Sequence, residues 1–244
     1  MRELEMHGKP TLTFALAGAL ALATSLGASA GGPAESEAPA LGAAAEGDLS
    51  ASELQAAGSS EYEAGNYERA LPLFQRAVER APECASYRNG LGITLHRLGR
   101  EAEARAVLEE AVRGAPGLAT AHFNLAGVLV ALGEREAAVW EYREARKADP
   151  SNPGIWNDLA ATLMELGWAG RAEMEYSLLV ERHPDYANGW FGYAVALERG
   201  GRAGDARDAW RRFLQLCQDP EGSFARTAQE RLAELDTRLS ARAR

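Results

Sequence analysis

Lysine and cysteine are almost missing from this chain: Lys9 and Lys147 are its only lysines, Cys84 and Cys217 its only cysteines. Val, Ile and aromatic residues are sparse beside Ala and Leu, which argues against a sheet-rich fold and for helices. Positive charge is in deficit as well. The formal net charge is −9, and four of the acidic residues (Glu35, Glu37, Glu46 and Asp48) precede the first helical pattern. A chain so balanced lacks the basic footprint that nucleic acid or an anionic membrane requires, so neither is expected as a main partner. The histidines are His7, His96, His122 and His183, and none has a Cys or His at ligand spacing, so no metal site is expected. A Gly-rich phosphate loop, a nucleophile elbow and an H-E-x-x-H helix are all absent from the sequence, so no enzyme activity and no cofactor are implied.

Long apolar runs are also scarce, with one exception. Residues 11–26, TLTFALAGALALATSL, are followed by Gly27-Ala28-Ser29-Ala30. A short apolar core ahead of small residues in an A-x-A arrangement has the form of a secretory signal cut after Ala30. The positive charge before it is weak, since Arg2 and Lys9 are offset by Glu3 and Glu5; a start at Met6 would repair this. Retained instead of cut, residues 1–30 would act as a membrane anchor. Residues 31–50, GGPAESEAPALGAAAEGDLS, hold too little apolar surface to offset ordering entropy and read as a disordered acidic linker.

Downstream, one pattern dominates. In Gly65–Pro82 the residues Ala70, Leu71, Phe74, Ala77 and Val78 form one apolar stripe at helical period. Ala70 recurs as Ala104, Ala138, Ala172 and Ala206, a constant step of 34 residues. Gly65 recurs as Gly99, Gly133, Gly167 and Gly201, and Pro82 as Pro116, Pro150 and Pro184. The large residue Phe74 recurs as Leu108, Tyr142, Tyr176 and Trp210. A small residue recurs upstream at Gly58, Gly92, Ala126, Ala160 and Ala194, and three positions later come Glu61, Leu95, Leu129, Leu163 and Leu197. The ends deviate as capping units should: Ser50-x-x-Glu53 has the form of a capping box, and Ser223 opens a last helix with Phe224, Ala228, Leu232, Leu235 and Leu239 on one face.

Five such units, at 51–84, 85–118, 119–152, 153–186 and 187–220, resemble the tetratricopeptide repeat family. The resemblance implies an all-α fold, a helix–turn–helix solenoid of five repeats, closed by a capping helix in 221–244. It also implies a concave groove that binds extended peptides or partner helices through the first helix of each unit. Matching positions are Asn89, Ile93 and His96; Phe123, Asn124, Gly127 and Val130; Asn157, Asp158 and Met164; and Asn188, Phe191 and Val195. The candidate site is therefore Asn89, Phe123, Asn124, Asn157, Asp158, Asn188 and Phe191. The asparagines are suited to a peptide backbone, Phe123 and Phe191 to apolar anchoring, and Gly127 and Gly192 to leaving room beside them. The lysine-based clamp that some family members use for a C-terminal carboxylate is not matched. About four repeat layers lie between Cys84 and Cys217, roughly 40 Å at ~10 Å per layer, so no bridge between them is expected. The sequence thus points to a non-catalytic scaffold for a protein or peptide partner, exported to the periplasm or beyond and serving an envelope complex. The alternative is a membrane-anchored spacer or a regulatory subunit of an envelope enzyme, with membrane contact only if the N-terminal segment stays.

Overall fold

The computed structural model describes residues 49–242, and the expected signal and nearly all of the expected linker lie outside them. Among the described residues there are eleven helices and no strands: α1 (Ala51–Glu63), α2 (Tyr67–Arg80), α3 (Ala85–Arg97), α4 (Glu101–Gly114), α5 (Ala119–Ala131), α6 (Arg135–Ala148), α7 (Pro153–Glu165), α8 (Ala169–Arg182), α9 (Ala187–Arg199), α10 (Ala203–Leu216) and α11 (Ser223–Arg242). Each helix packs on the one before and the one after it, as a solenoid requires.

The turn inside each unit is built identically. Gly65, Gly99, Gly133, Gly167 and Gly201 all adopt φ between 72° and 82°, a region that a side chain would strain. The residue after each glycine returns its amide to the carbonyl five positions earlier: Asn66 to Glu61, Arg100 to Leu95, Glu134 to Leu129, Trp168 to Leu163 and Arg202 to Leu197, at 2.8–3.0 Å. One backbone motif therefore ends all five first helices and aims all five second helices.

Large residues of the second helices hold the layers together by filling gaps left by small ones. A Cβ placed on Gly92 would lie 2.5 Å from Leu108, and one on Gly90 would lie 2.5 Å from Phe74 of the preceding unit. Gly192 is the tightest case: its Cβ would lie 2.2 Å from the Tyr176 ring. The space beside Gly192 therefore belongs to Tyr176, which corrects the expectation that it makes room for a ligand. A Cβ on Gly127 would meet no heavy atom within 4 Å, so that position is open as expected.

Between units, a ring N–H reaches back to the proline carbonyl that closes the preceding unit. Trp156 Nε1 donates to Pro150 at 3.1 Å, Trp190 Nε1 to Pro184 at 3.0 Å, and His122 Nε2 to Pro116 at 3.0 Å. His122 thus does the work of tryptophan in its unit, and its other nitrogen meets Glu141 at 2.6 Å.

Both ends are closed. Ser50 and Glu53 form the capping box at the start of α1, with Ser50 N donating to Glu53 at 2.7 Å. Glu61, where later units carry leucine, accepts from Asn66 at 2.9 Å and pairs with Arg69. At the far end α11 lies over α10, burying Ala225, Ala228 and Leu235, while Phe224 meets Phe191 edge-on. Cys84 and Cys217 are both free thiols. No described helix is long and apolar enough to cross a membrane.

Two alanine substitutions separate filled from open glycines. Gly192→Ala must displace the Tyr176 ring and should lower stability by about 1–2 kcal/mol, the cost of overpacking less the gain in helix propensity. Gly127→Ala meets nothing and should raise stability by about 0.5–1 kcal/mol. Thermal unfolding followed by circular dichroism reads both, and a destabilised Gly127→Ala would contradict the open groove.

Candidate functional site

The first helices form one wall of the solenoid, and successive ones touch along it: α1 with α3, α3 with α5, and α7 with α9. Contact between α5 and α7 is thinner, and the small residues Gly127 and Ala161 line the space between them. A groove of about 1040 Å³ opens there, floored by α5 and α7 and flanked by α3 and α9.

Five of the seven candidate residues line it: Phe123, Asn124, Asn157, Asp158 and Phe191. The other two stand at its edges. Asn89 accepts a 2.8 Å hydrogen bond from Asn124, so it braces α5 from α3. Asn188 hydrogen-bonds Tyr186, the residue that leads into α9. Phe123 is half-buried, with its ring 5.8 Å from that of Tyr142, and remains available as an apolar contact. Phe191 does not. It is 3% exposed and held edge-to-face by Trp210, Phe213 and Phe224 at 4.9–5.3 Å. The expected role of Phe191 as a projecting anchor is corrected: it is core of the last unit, and only its edge reaches the groove wall.

The floor is polar where the sequence placed two adjacent residues on α7. Asn157 is 1% exposed; its Nδ2 donates to Asp158 at 3.1 Å, and its buried Oδ1 has no donor among the described residues. Asp158 has no arginine or lysine partner among the described residues. Burial pushes its carboxyl up to about 6, and the Asn157 amide only partly opposes this. The same burial, reinforced by the Asp158 charge, pushes the phenols of Tyr142, Tyr176 and Tyr186 upward. Those three tyrosines are groove residues that sequence reasoning missed as such. The signal was present: Gly90, Asn124, Asp158 and Gly192 share one repeat position, the one facing the previous unit's large residue. A carboxylate in that position sets Asp158 against Tyr142.

The arginines at the mouth are already engaged. Arg135 pairs with Glu165 at 2.6 Å, and Arg97 donates to Tyr62 Oη at 2.9 Å. Arg199, on the α9 side, acts on the Tyr176 phenol, where its charge opposes the upward push. Trp156 faces away from the groove, between Arg146 and Arg182 at 4.6 and 5.3 Å from its ring. No group of three or more His, Cys, Asp or Glu among the described residues could hold a metal ion.

Tetratricopeptide-repeat family models match residues 56–119, 119–162 and 157–219. The chain belongs to the tetratricopeptide repeat family. Members of this family act as protein-interaction scaffolds. Three solved tetratricopeptide-repeat folds illustrate the likeness. Pseudomonas aeruginosa PilF superposes with a TM-score of 0.65 at 16% identity, over 78% of this chain and 90% of that one. YrrB, described as a TPR protein with an unusual peptide-binding site, gives 0.59 at 18% identity, over 74% and 92%. TTC0263 of Thermus thermophilus gives 0.58 at 21% identity, over 76% and 98%. At these identities the likeness is one of fold. No curated protein sequence matches the chain significantly.

The buried carboxyl makes stability pH-dependent in a defined direction. Asp158 has an ordinary value of 3.8 and is pushed up to about 6 in the fold, so folding favours its neutral form. Its contribution is therefore most favourable below pH ~4, declines as pH rises toward ~6, and stays flat above that. Asp158→Asn removes this component. At pH ~7.5 the variant should be more stable than the parent by about 3 kcal/mol, and below pH ~4 the two should converge. Denaturant melts of both proteins from pH ~3.5 to ~8 measure the difference, and a constant gap across that range would refute it.

Proposed function

We propose that this protein is a non-catalytic scaffold that holds an extended peptide or a partner's helix in the groove between α5 and α7. The observation that carries this reading is the groove itself. It is about 1040 Å³, open at Gly127, and lined by an apolar ring, amide groups and a carboxylate brought together from several repeats. Phe123 supplies apolar contact, Asn124 sits beside it, and the backbone-like amide chemistry of the asparagines suits a peptide main chain. YrrB, a similar fold described as having an unusual peptide-binding site, supports peptide binding as a use of this fold.

The protein is proposed to work outside the cytoplasm, as an assembly or accessory factor of an envelope complex. Support for this part comes from the sequence: the apolar run 11–26 and the A-x-A ending at Ala30, followed by an acidic, Pro- and Gly-bearing stretch of tether length. If residues 1–30 are retained instead, the same scaffold becomes a membrane-anchored spacer.

Two measurements test these readings. Randomised seven-residue peptide pools passed over the immobilised full chain should be retained by it. Retention should fall at least tenfold in Gly127→Leu, whose side chain fills the open groove while leaving the melting temperature unchanged or raised. Equal retention by parent and variant would remove the groove from the function. For export, the intact mass of the protein recovered from cells should lack residues 1–30, and a full-length cytosolic species would overturn the proposed location.

A further inference from the structure

The two sides of the groove differ in how their hydrogen-bonding capacity is used. At the mouth and on α5, donors are spent inside the protein: Arg135 on Glu165, Arg97 on Tyr62, and the Asn124 amide on Asn89. On α7 the shortage is reversed. Asp158 receives one amide hydrogen bond and no cation among the described residues, and Asn157 Oδ1, fully buried beside it, receives none. Glu136, at the mouth, is a second carboxylate without a partner among the described residues. A partly desolvated carboxylate and an unmet buried acceptor each raise the free energy of the empty groove, and a cation bearing several N–H donors relieves both.

The surroundings fit the rest of such a ligand. The rings of Tyr142, Tyr176 and Tyr186 lie within electrostatic reach of Asp158, and Phe123 stands beside Tyr142. Aromatic rings near a carboxylate favour a cation that carries an apolar stem, by cation–π attraction and by burial of the methylenes. The groove is far larger than one ammonium or guanidinium head, which favours a side chain delivered by a peptide over a free amine.

We propose that the groove selects peptides bearing a lysine or arginine, the cationic head binding at Asp158 beside the Asn157 amide and the stem lying along the groove against Phe123 and the phenol ends of Tyr142 and Tyr176. This rests on the groove-binding reading above and adds the identity of its anchor. The specificity runs opposite to a carboxylate clamp: here the protein supplies the anion and the peptide the cation.

The test uses the full chain, immobilised, in about 150 mM salt, where long-range attraction to a protein of net charge −9 is largely screened. Three capped seven-residue pools are compared, randomised except at the centre, which is lysine, norleucine or glutamate. The lysine pool should be retained at least fivefold over norleucine, with glutamate lowest. Asp158→Asn should reduce the lysine preference to under twofold. This variant is expected to fold, because Asn124 already occupies the same repeat position one unit earlier. Glu230→Gln, an exposed change outside the groove, should leave the preference intact and so separates a local anion from bulk charge. Groove-dependent retention without a lysine preference, or a preference that survives Asp158→Asn, would overturn this inference and leave the groove-binding reading standing. Retention of no pool would overturn both. So would a groove filled by a second copy of this chain, seen as a dimer that Gly127→Leu dissociates.

Discussion

Bulky side chains of the second helices lie over a repeat position of the following first helix that is either glycine or a short polar residue, and the rest of the molecule depends on that contact. Tyr176 over Gly192 and Phe74 over Gly90 are its tightest instances, with Leu108 over Gly92 as close inside one unit. The contact sets the distance between layers and therefore the curvature of the stack. It also accounts for the constant step of 34 residues. Each ring must arrive at its gap at the same height, and the φ-positive glycine turn fixes that height in all five units. Close packing of this kind carries a steep penalty for error, since a methyl group at the wrong place moves a ring and not a flexible chain.

The same contact decides where polar chemistry can enter. The position facing the bulky residue is glycine in the second and fifth units, but asparagine and aspartate in the third and fourth. Where glycine stands, the ring fills the gap. Where Asn124 and Asp158 stand, a polar group shares the space, and the groove opens between those two units. The site is thus a local departure from the repeat's own packing rule, set in an array that otherwise obeys it.

This explains what could be read from the sequence and what could not. The fold is a property of period: the strict recurrence of Gly65, Ala70 and Phe74 defines the hairpins and their order. The capping box and the last helix follow from local chemistry that needs no partner. Which helices face inward follows from the family resemblance, and it brought Phe123, Asn124, Asn157 and Asp158 to the groove. Depth does not follow from period. Phe191 and Phe123 occupy the same repeat position two units apart, but Phe191 lies next to the end of the array, where Phe213, Trp210 and Phe224 converge on it. Phe213 stands where the first three units carry alanine and the fourth leucine, so the last unit packs around larger rings, with Phe191 among them. Tyr142 and Tyr176 show the converse: residues of the second helices, read as core, whose phenol ends reach the groove because the repeat is only two helices thick.

The floor of the groove carries an energetic tension that packing alone would have avoided. A repeat with glycine or asparagine in place of Asp158 would satisfy the same geometry without burying a carboxylate. Aspartate there lifts its own carboxyl to about 6 and raises the phenols around it, a cost borne whenever the groove is empty near neutral pH. In the proposed binding mode a ligand with positive charge relieves that cost most, so the residue that weakens the empty fold would also discriminate among ligands. A neutral peptide would have to compete with water for the carboxylate and gains little there. An acidic one would add repulsion in a poorly screened site. Discrimination of this kind comes from the penalty as much as from the attraction, and it requires only one charge, provided that charge is partly buried and otherwise unpaired.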